Sequence, residues 1–129
     1  MSRFENWKAP EIRHNELTPY NWLVQYPDGL VLGHGSDIGA FTYINALHGV
    51  EIGAGAQIGS HCSLYSISTI DGKKGRIVVG ENACIGTHST VMPGVTIGKN
   101  AVVGAHSFVN RDVPDGAVAY GVPAKIRQR

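Results

Sequence analysis

Six histidines are the residues of this 129-residue chain best suited by type to move a proton: His14, His34, His48, His61, His88 and His106. Imidazole is the side chain that ordinarily exchanges a proton near neutral pH. A histidine beside an attacking hydroxyl or amine can therefore act as general base. His88 and His106 stand 18 residues apart. His61 lies in GSHCSLYS and His48 in NALHGVEIG, while Asp71 lies in STIDGKKGRIVVG, where a carboxylate could orient a histidine or hold an acceptor amine. Lys125, Arg127 and Arg129 make a basic stretch. Lys and Arg favour phosphate oxygens, so phosphate contact is one reading of it and a solvated tail the other. Cys62 and Cys84 are too few for a disulfide scaffold and lack metal-ligand spacing, so no metal is expected.

The bulk numbers narrow the class. A formal net charge of +1 gives no broad basic field for nucleic acid. No apolar run approaches the roughly 18 residues of a membrane span. The opening MSRFENWKAP carries no apolar signal segment. The expectation is a soluble, cytoplasmic, single-domain protein without nucleic-acid or membrane partners.

The elements that must position these groups are legible in a repeat. From residue 32 an aliphatic residue recurs: Leu32, Ile38, Ile44, Ile52, Ile58, Leu64, Ile70, Val79, Ile85, Val91, Ile97, Val103 and Val109. Ten of the twelve steps are six residues; Ile44 to Ile52 is eight and Ile70 to Val79 is nine. Gly follows in eight of thirteen cases, and the fourth residue after the anchor is small in eleven, the exceptions being His48 and Lys74. Gly is read here as a turn residue tolerating positive φ. A period of six fits neither a 3.6-residue helix nor a two-residue alternation. It fits a coil with a short strand and a turn in every unit, three units closing a triangular turn. Such coils stack at about the strand spacing of 4.8 Å, and each buries its apolar face only against its neighbours.

The predicted fold is all-β, a single parallel β-helix of about four coils over residues 32–113. Residues 1–31 form a cap with Trp7, Trp22, Tyr20, Tyr26 and Leu23, in which LVQYPDGLVL reads as two short strands about a turn. Pro114, Asp115 and Gly116 end the last coil, and 114–129 is a tail. In this register His88 and His106, each third after an anchor, share a corner one coil apart. Ile67, Thr69, Leu47 and His48 fall at that corner too, with both chain breaks, while His61 falls on another.

The strict six-residue form resembles the hexapeptide-repeat family, whose coils wind left-handed. Residues from Val79 onward, with IGTH, MPGVTIGKNAVVGAHS, RDVP and GVPAK, are similar to the C-terminal half of galactoside, maltose and related sugar acetyltransferases. The resemblance implies a homotrimer with sites in the clefts between subunits. It also implies acetyl-CoA as co-substrate, lying along the C-terminal coils. By motif, Gly86, Thr87, Gly104 and Ala105 would line the pantetheine channel, small residues letting an extended chain approach the backbone. Lys125 and Arg127 would face the nucleotide phosphates.

The acceptor side departs from the family pattern. The O-acetyltransferases' loop histidine falls by register near Thr69, in a shorter loop without histidine. Their acceptor-binding Asn and Asp fall near Gly39 and Leu47. The base of the related nucleotide-aminosugar N-acetyltransferases falls near Ala54. His88, about one strand spacing (~5 Å) from the family's base position, is the candidate general base. His61, entering from a neighbouring subunit, is the second candidate, and His48, Thr69 and Asp71 are candidate acceptor-binding residues. The expected activity is CoA-dependent acylation of an aminosugar or nucleotide-linked sugar for surface polysaccharide or glycan synthesis. Alternatives are a sugar O-acetyltransferase of galactoside or maltose type and a non-catalytic β-helix scaffold. A zinc hydratase on this fold needs converging histidines, two of them five residues apart, and no two here are.

Overall fold

In a computed structural model of the chain, residues 6–127 are described. Arg129 of the basic stretch and the first five residues of the cap lie outside them. The chain winds as a triangular β-solenoid with three parallel faces. Face 1 stacks five strands, Leu23–Gln25, Tyr43–Asn45, Ser63–Tyr65, Thr90–Val91 and Phe108–Val109. Face 2 stacks Leu30–Leu32, Val50–Ile52, Ile77–Val79 and Thr96–Ile97, with Val113 bridged to Ile97. Face 3 stacks Asp37–Ile38, Gln57–Ile58, Cys84–Ile85, Val102–Val103 and Val118–Gly121.

The anchors fill the interior. Val24, Ile44, Leu64, Val91 and Val109 point inward from face 1, while Ile52, Val79 and Ile97 do so from face 2 and Ile58, Ile85 and Val103 from face 3. Each is nearly or fully buried, which stabilises by roughly 1.5–3 kcal/mol per side chain. The glycine after an anchor serves the next coil. A Cβ on Gly59 would lie 2.7 Å from the Thr87 nitrogen, and one on Gly86 would lie 2.5 Å from the Ala105 nitrogen. Neither has positive φ, so these glycines allow close coil stacking rather than a left-handed turn. The left-handed residue of each unit comes two positions later.

The helix begins and ends beyond the expected limits. Leu23–Gln25 already pairs in parallel with Tyr43–Asn45, so the cap is shorter than 1–31. The two strands of LVQYPDGLVL form, joined by a 3-10 turn at Pro27–Gly29, but they belong to different faces and not to a hairpin. Pro114, Asp115 and Gly116 turn a corner, and Val118–Gly121 continues face 3 against Val102–Val103. Ala124–Arg127 then folds back antiparallel and closes that edge. At the other end buried Trp22 plugs the first coil, and the Trp7 indole donates to the Ser36 carbonyl at 2.9 Å.

Steps between faces 2 and 3, and between faces 3 and 1, are six residues throughout, as from Ile58 to Leu64 and from Ile85 to Val91. All length variation sits between faces 1 and 2: eight residues from Ile44 to Ile52, fifteen from Leu64 to Val79, six from Val91 to Ile97. The longest step carries a projecting hairpin, Ile67–Ser68 against Lys73–Lys74.

Candidate active site at one corner of the solenoid

Three tripeptides stack where face 3 turns into face 1: Gly59-Ser60-His61, Gly86-Thr87-His88 and Gly104-Ala105-His106. Each histidine takes the left-handed conformation, with φ of 58°, 60° and 58°, as does Phe41 one coil earlier at 64°. The backbone repeats with them. His61 N–H donates to the Ala40 carbonyl at 3.0 Å, His88 N–H to Ser60 at 3.1 Å and His106 N–H to Thr87 at 2.9 Å. One turn per coil forces the rings into register. His61 and His88 stack at 4.8 Å and 2°, His88 and His106 at 4.9 Å and 11°, and Phe41 leans on His61 at 5.4 Å. The column is exposed on its outer side.

Behind the rings runs a buried polar seam. The Thr42 hydroxyl donates to the Gly59 carbonyl at 3.0 Å, the Cys62 thiol to Gly86 at 3.3 Å, and the Ser89 and Ser107 hydroxyls to Gly104 at 3.1 and 2.7 Å. These bonds tie each coil to the column. Burial pushes the Cys62 thiol up, against the pull of backbone N–H groups of Ser89 and His88, so it stays protonated and is no nucleophile. One ring nitrogen of the column is hydrogen-bonded among the described residues: His88 Nδ1, 2.9 Å from Thr87 Oγ1. Thr87 Oγ1 also lies 2.7 Å from the Ser60 carbonyl and 3.2 Å from Ser60 Oγ.

The expected placement of the site residues is corrected in two respects. His61 lies on the same corner as His88 and in the same chain, directly stacked on it. His48, Thr69 and Asp71 lie on the other edge of face 1, with the hairpin, and a single chain does not bring them to His88. Ile70 is the cause. It is 98% exposed near the hairpin tip and is no anchor. Counting it inserted one unit and rotated every later assignment by one corner. The turn pair Asp71-Gly72 followed by Lys73 and Lys74 was the available signal, since Lys74 falls at a position that holds a small residue after all but one of the other anchors. Gly86 and Gly104 precede the rings of the column, and a Cβ on Gly104 would meet the Tyr120 Cβ at 2.8 Å, so both make room for the next coil. Ala105 is exposed there and Thr87 half-buried.

Lys125 and Arg127 lie on one side of the closing strand, paired across from Tyr120 and Val118. The Arg127 guanidinium stacks 4.7 Å over the Tyr120 ring and donates to the Tyr120 carbonyl. The closing hairpin meets the histidine corner through Gly121 N–H, which donates to Ser107 Oγ at 3.1 Å. Basic groups therefore follow the column along the axis. Asp71 is held below the usual carboxylate range by the Lys73 backbone N–H and the Ser68 hydroxyl. The remaining histidines serve the cap: His14 Nδ1 accepts from Tyr26 N–H at 2.9 Å, and His34 packs edge-on against Trp7 at 5.0 Å. Ser60, which sequence reasoning passed over, was marked by its place in a repeated Gly-X-His tripeptide. Among the described residues no helix is long and apolar enough to cross a membrane.

Residues 76–111, which include His88 and His106, match the bacterial transferase hexapeptide (six repeats) model. Nodulation protein L of Rhizobium meliloti is 40% identical over 110 residues, 74% of this chain and 60% of that protein. The chain spans about half the length of the curated relatives it matches, from 46% to 60% in the first three. A hexapeptide-repeat acetyltransferase of Vibrio cholerae superposes with a TM-score of 0.78 at 26% identity, over 83% of this chain and 66% of that one. That acetyltransferase has also been solved with acetyl coenzyme A. A galactoside acetyltransferase in complex with coenzyme A gives 0.76 at 27% identity, over 91% of this chain and 63% of that one. The chain thus carries a hexapeptide-repeat domain with the fold of the left-handed β-helix acetyltransferases.

Proposed function

We propose that this chain transfers an acetyl group from acetyl-CoA to a small sugar acceptor, with His88 as general base. The observation that carries the reading is the alignment along one edge: the histidine column, the flanking Gly86-Thr87 and Gly104-Ala105 backbone, and then Lys125 and Arg127. An extended thioester with a phosphorylated end suits that order, its carbonyl beside the rings and its phosphates at the basic end. The coenzyme A complexes of the structural neighbours support it.

The acceptor's hydroxyl or amine attacks the thioester carbonyl as its proton passes to His88. The C–S bond then breaks, and the departing thiolate takes the proton back from the imidazolium, giving free CoA and neutral histidine. A hydroxyl needs such a base more than an amine does, so a well-held His88 favours O-acetylation. An aminosugar, free or nucleotide-linked, remains the competing acceptor, with surface glycan synthesis as the setting. In a homotrimer the hairpin of one copy, with Thr69, Asp71 and His48, would meet the histidine column of the next and complete the acceptor side. Titration calorimetry with acetyl-CoA, followed by acetyl transfer to a panel of sugars, aminosugars and nucleotide sugars, tests the reading. An absence of binding at high micromolar acetyl-CoA would end it.

A further inference from the structure

We propose that the Thr87 hydroxyl, anchored on the Ser60 carbonyl, is a positioning group that holds His88 in the Nδ1–H form. The Nε2 lone pair is then left to take the acceptor's proton. The catalytic part of this proposal rests on the acyl-transfer reading above.

A count of hydrogens leads to it. A threonine hydroxyl has one proton and two lone pairs. Thr87 Oγ1 lies 2.7 Å from the Ser60 carbonyl oxygen, which can only accept, so the proton is committed there. Ser60 Oγ, at 3.2 Å, then donates into one lone pair. His88 Nδ1, at 2.9 Å, donates into the other. Thr87 is saturated by this arrangement, and it admits one tautomer of the neutral ring. The bond also outlasts the chemistry. When Nε2 takes the acceptor's proton, the imidazolium keeps its Nδ1 hydrogen on Thr87, and the bond becomes charge-assisted. When the CoA thiolate removes the Nε2 proton, the same tautomer returns.

The column itself supplies the control. His106 follows Ala105, which has no hydroxyl. His61 follows Ser60, whose hydroxyl is turned toward Thr87. Stacking at 4.8 and 4.9 Å fixes the plane of the His88 ring from both sides but leaves its proton unassigned. Thr87 does that, which singles out the central histidine of three alike in backbone.

The test uses the full chain with 15N-labelled histidine and long-range proton–nitrogen spectra at a pH where the ring is neutral. The expected wild-type spectrum has the His88 hydrogen on Nδ1. In T87V, an isosteric change, the hydrogen shifts toward Nε2. Its kcat for acetyl transfer falls about 10- to 100-fold, the range seen when a metal-bound histidine loses its outer hydrogen-bond partner. KM for acetyl-CoA stays within about twofold, and T87S restores both tautomer and kcat. A wild-type hydrogen on Nε2, an unchanged tautomer in T87V, or a changed tautomer without loss of kcat would each overturn the proposal. A wild type with the expected tautomer that transfers no acetyl group to any acceptor overturns the acyl-transfer reading instead, and leaves the hydrogen-bond assignment supported.

Discussion

Two corners of the solenoid use one backbone turn and fill it differently. Between faces 2 and 3 the left-handed position holds Gly35, Gly55, Asn82, Asn100 and Gly116, the types that adopt positive φ most readily. Between faces 3 and 1 it holds Asn21, Phe41, His61, His88 and His106 at closely similar φ. A ring-bearing residue there costs on the order of 1 kcal/mol. The residues behind the turn differ in the same sense. Ala56, Ala83 and Ala101 are inert fillers at the first corner, where Ser36 is the one hydrogen-bonded hydroxyl among the described residues, while Thr42, Cys62, Ser89 and Ser107 are hydrogen-bonded at the second. One corner is filled by what the turn prefers. The other carries rings in four coils, histidine a type the turn tolerates and Phe41 one it disfavours, with polar bonds behind them. Strain of this kind, observed and repeated over successive coils, marks where side chains do something besides fold.

The contrast is broken most severely at His88. H88N gives it the residue type of Asn82. Turnover is expected to fall about 10²- to 10⁴-fold, while urea unfolding changes by less than about 1 kcal/mol, since Asn suits the turn but gives up the ring stacking. An H88N enzyme with normal turnover would erase the functional distinction between the corners. Next in size is the packing that both corners share. Gly86→Ala meets the Ala105 nitrogen and should cost about 3 kcal/mol. Gly116→Ala, with open space but positive φ, should cost about 1 kcal/mol and leave acetyl transfer unchanged. H61N and H106N sharpen the comparison, each changing stability by less than about 1 kcal/mol with far less loss of turnover than H88N. Cys62 has a pH signature. Burial raises its folded pKa above the ordinary 9.0, so the unfolded chain ionises first and stability declines as pH rises past that value. C62S, which puts the Ser89 residue type there, should flatten that alkaline decline in a pH series of unfolding curves. The smallest effect is expected at the third corner, where I70S should change stability by less than about 0.5 kcal/mol; a larger loss would restore Ile70 as an anchor.

The six-residue period made the fold legible because every coil repeats the same burial. Its phase was harder to read. Ile70 satisfied the spacing by chance, and an aliphatic residue on a hairpin is indistinguishable from an anchor by spacing alone. One false unit rotates the frame, so spacing alone puts His61 on another corner and His48, Thr69 and Asp71 beside His88. The left-handed position was the better guide. At the two corners that keep the six-residue step it holds Gly, Asn, His or Phe, whereas the third residue after Ile70 is Lys73. The hydrogen bond from His88 to Thr87 could not be read at all, since adjacency in sequence does not fix where a hydroxyl points.

The histidine corner, and not its asparagine counterpart, is the one proposed to meet the donor. Titrating the labelled protein with acetyl-CoA while following both sets of side chains tests this directly. The imidazole signals of His61, His88 and His106 should move with a common saturation curve, and the side-chain amides of Asn82 and Asn100 should stay in place. Movement of the Asn82 and Asn100 amides with the histidines unaffected would contradict it.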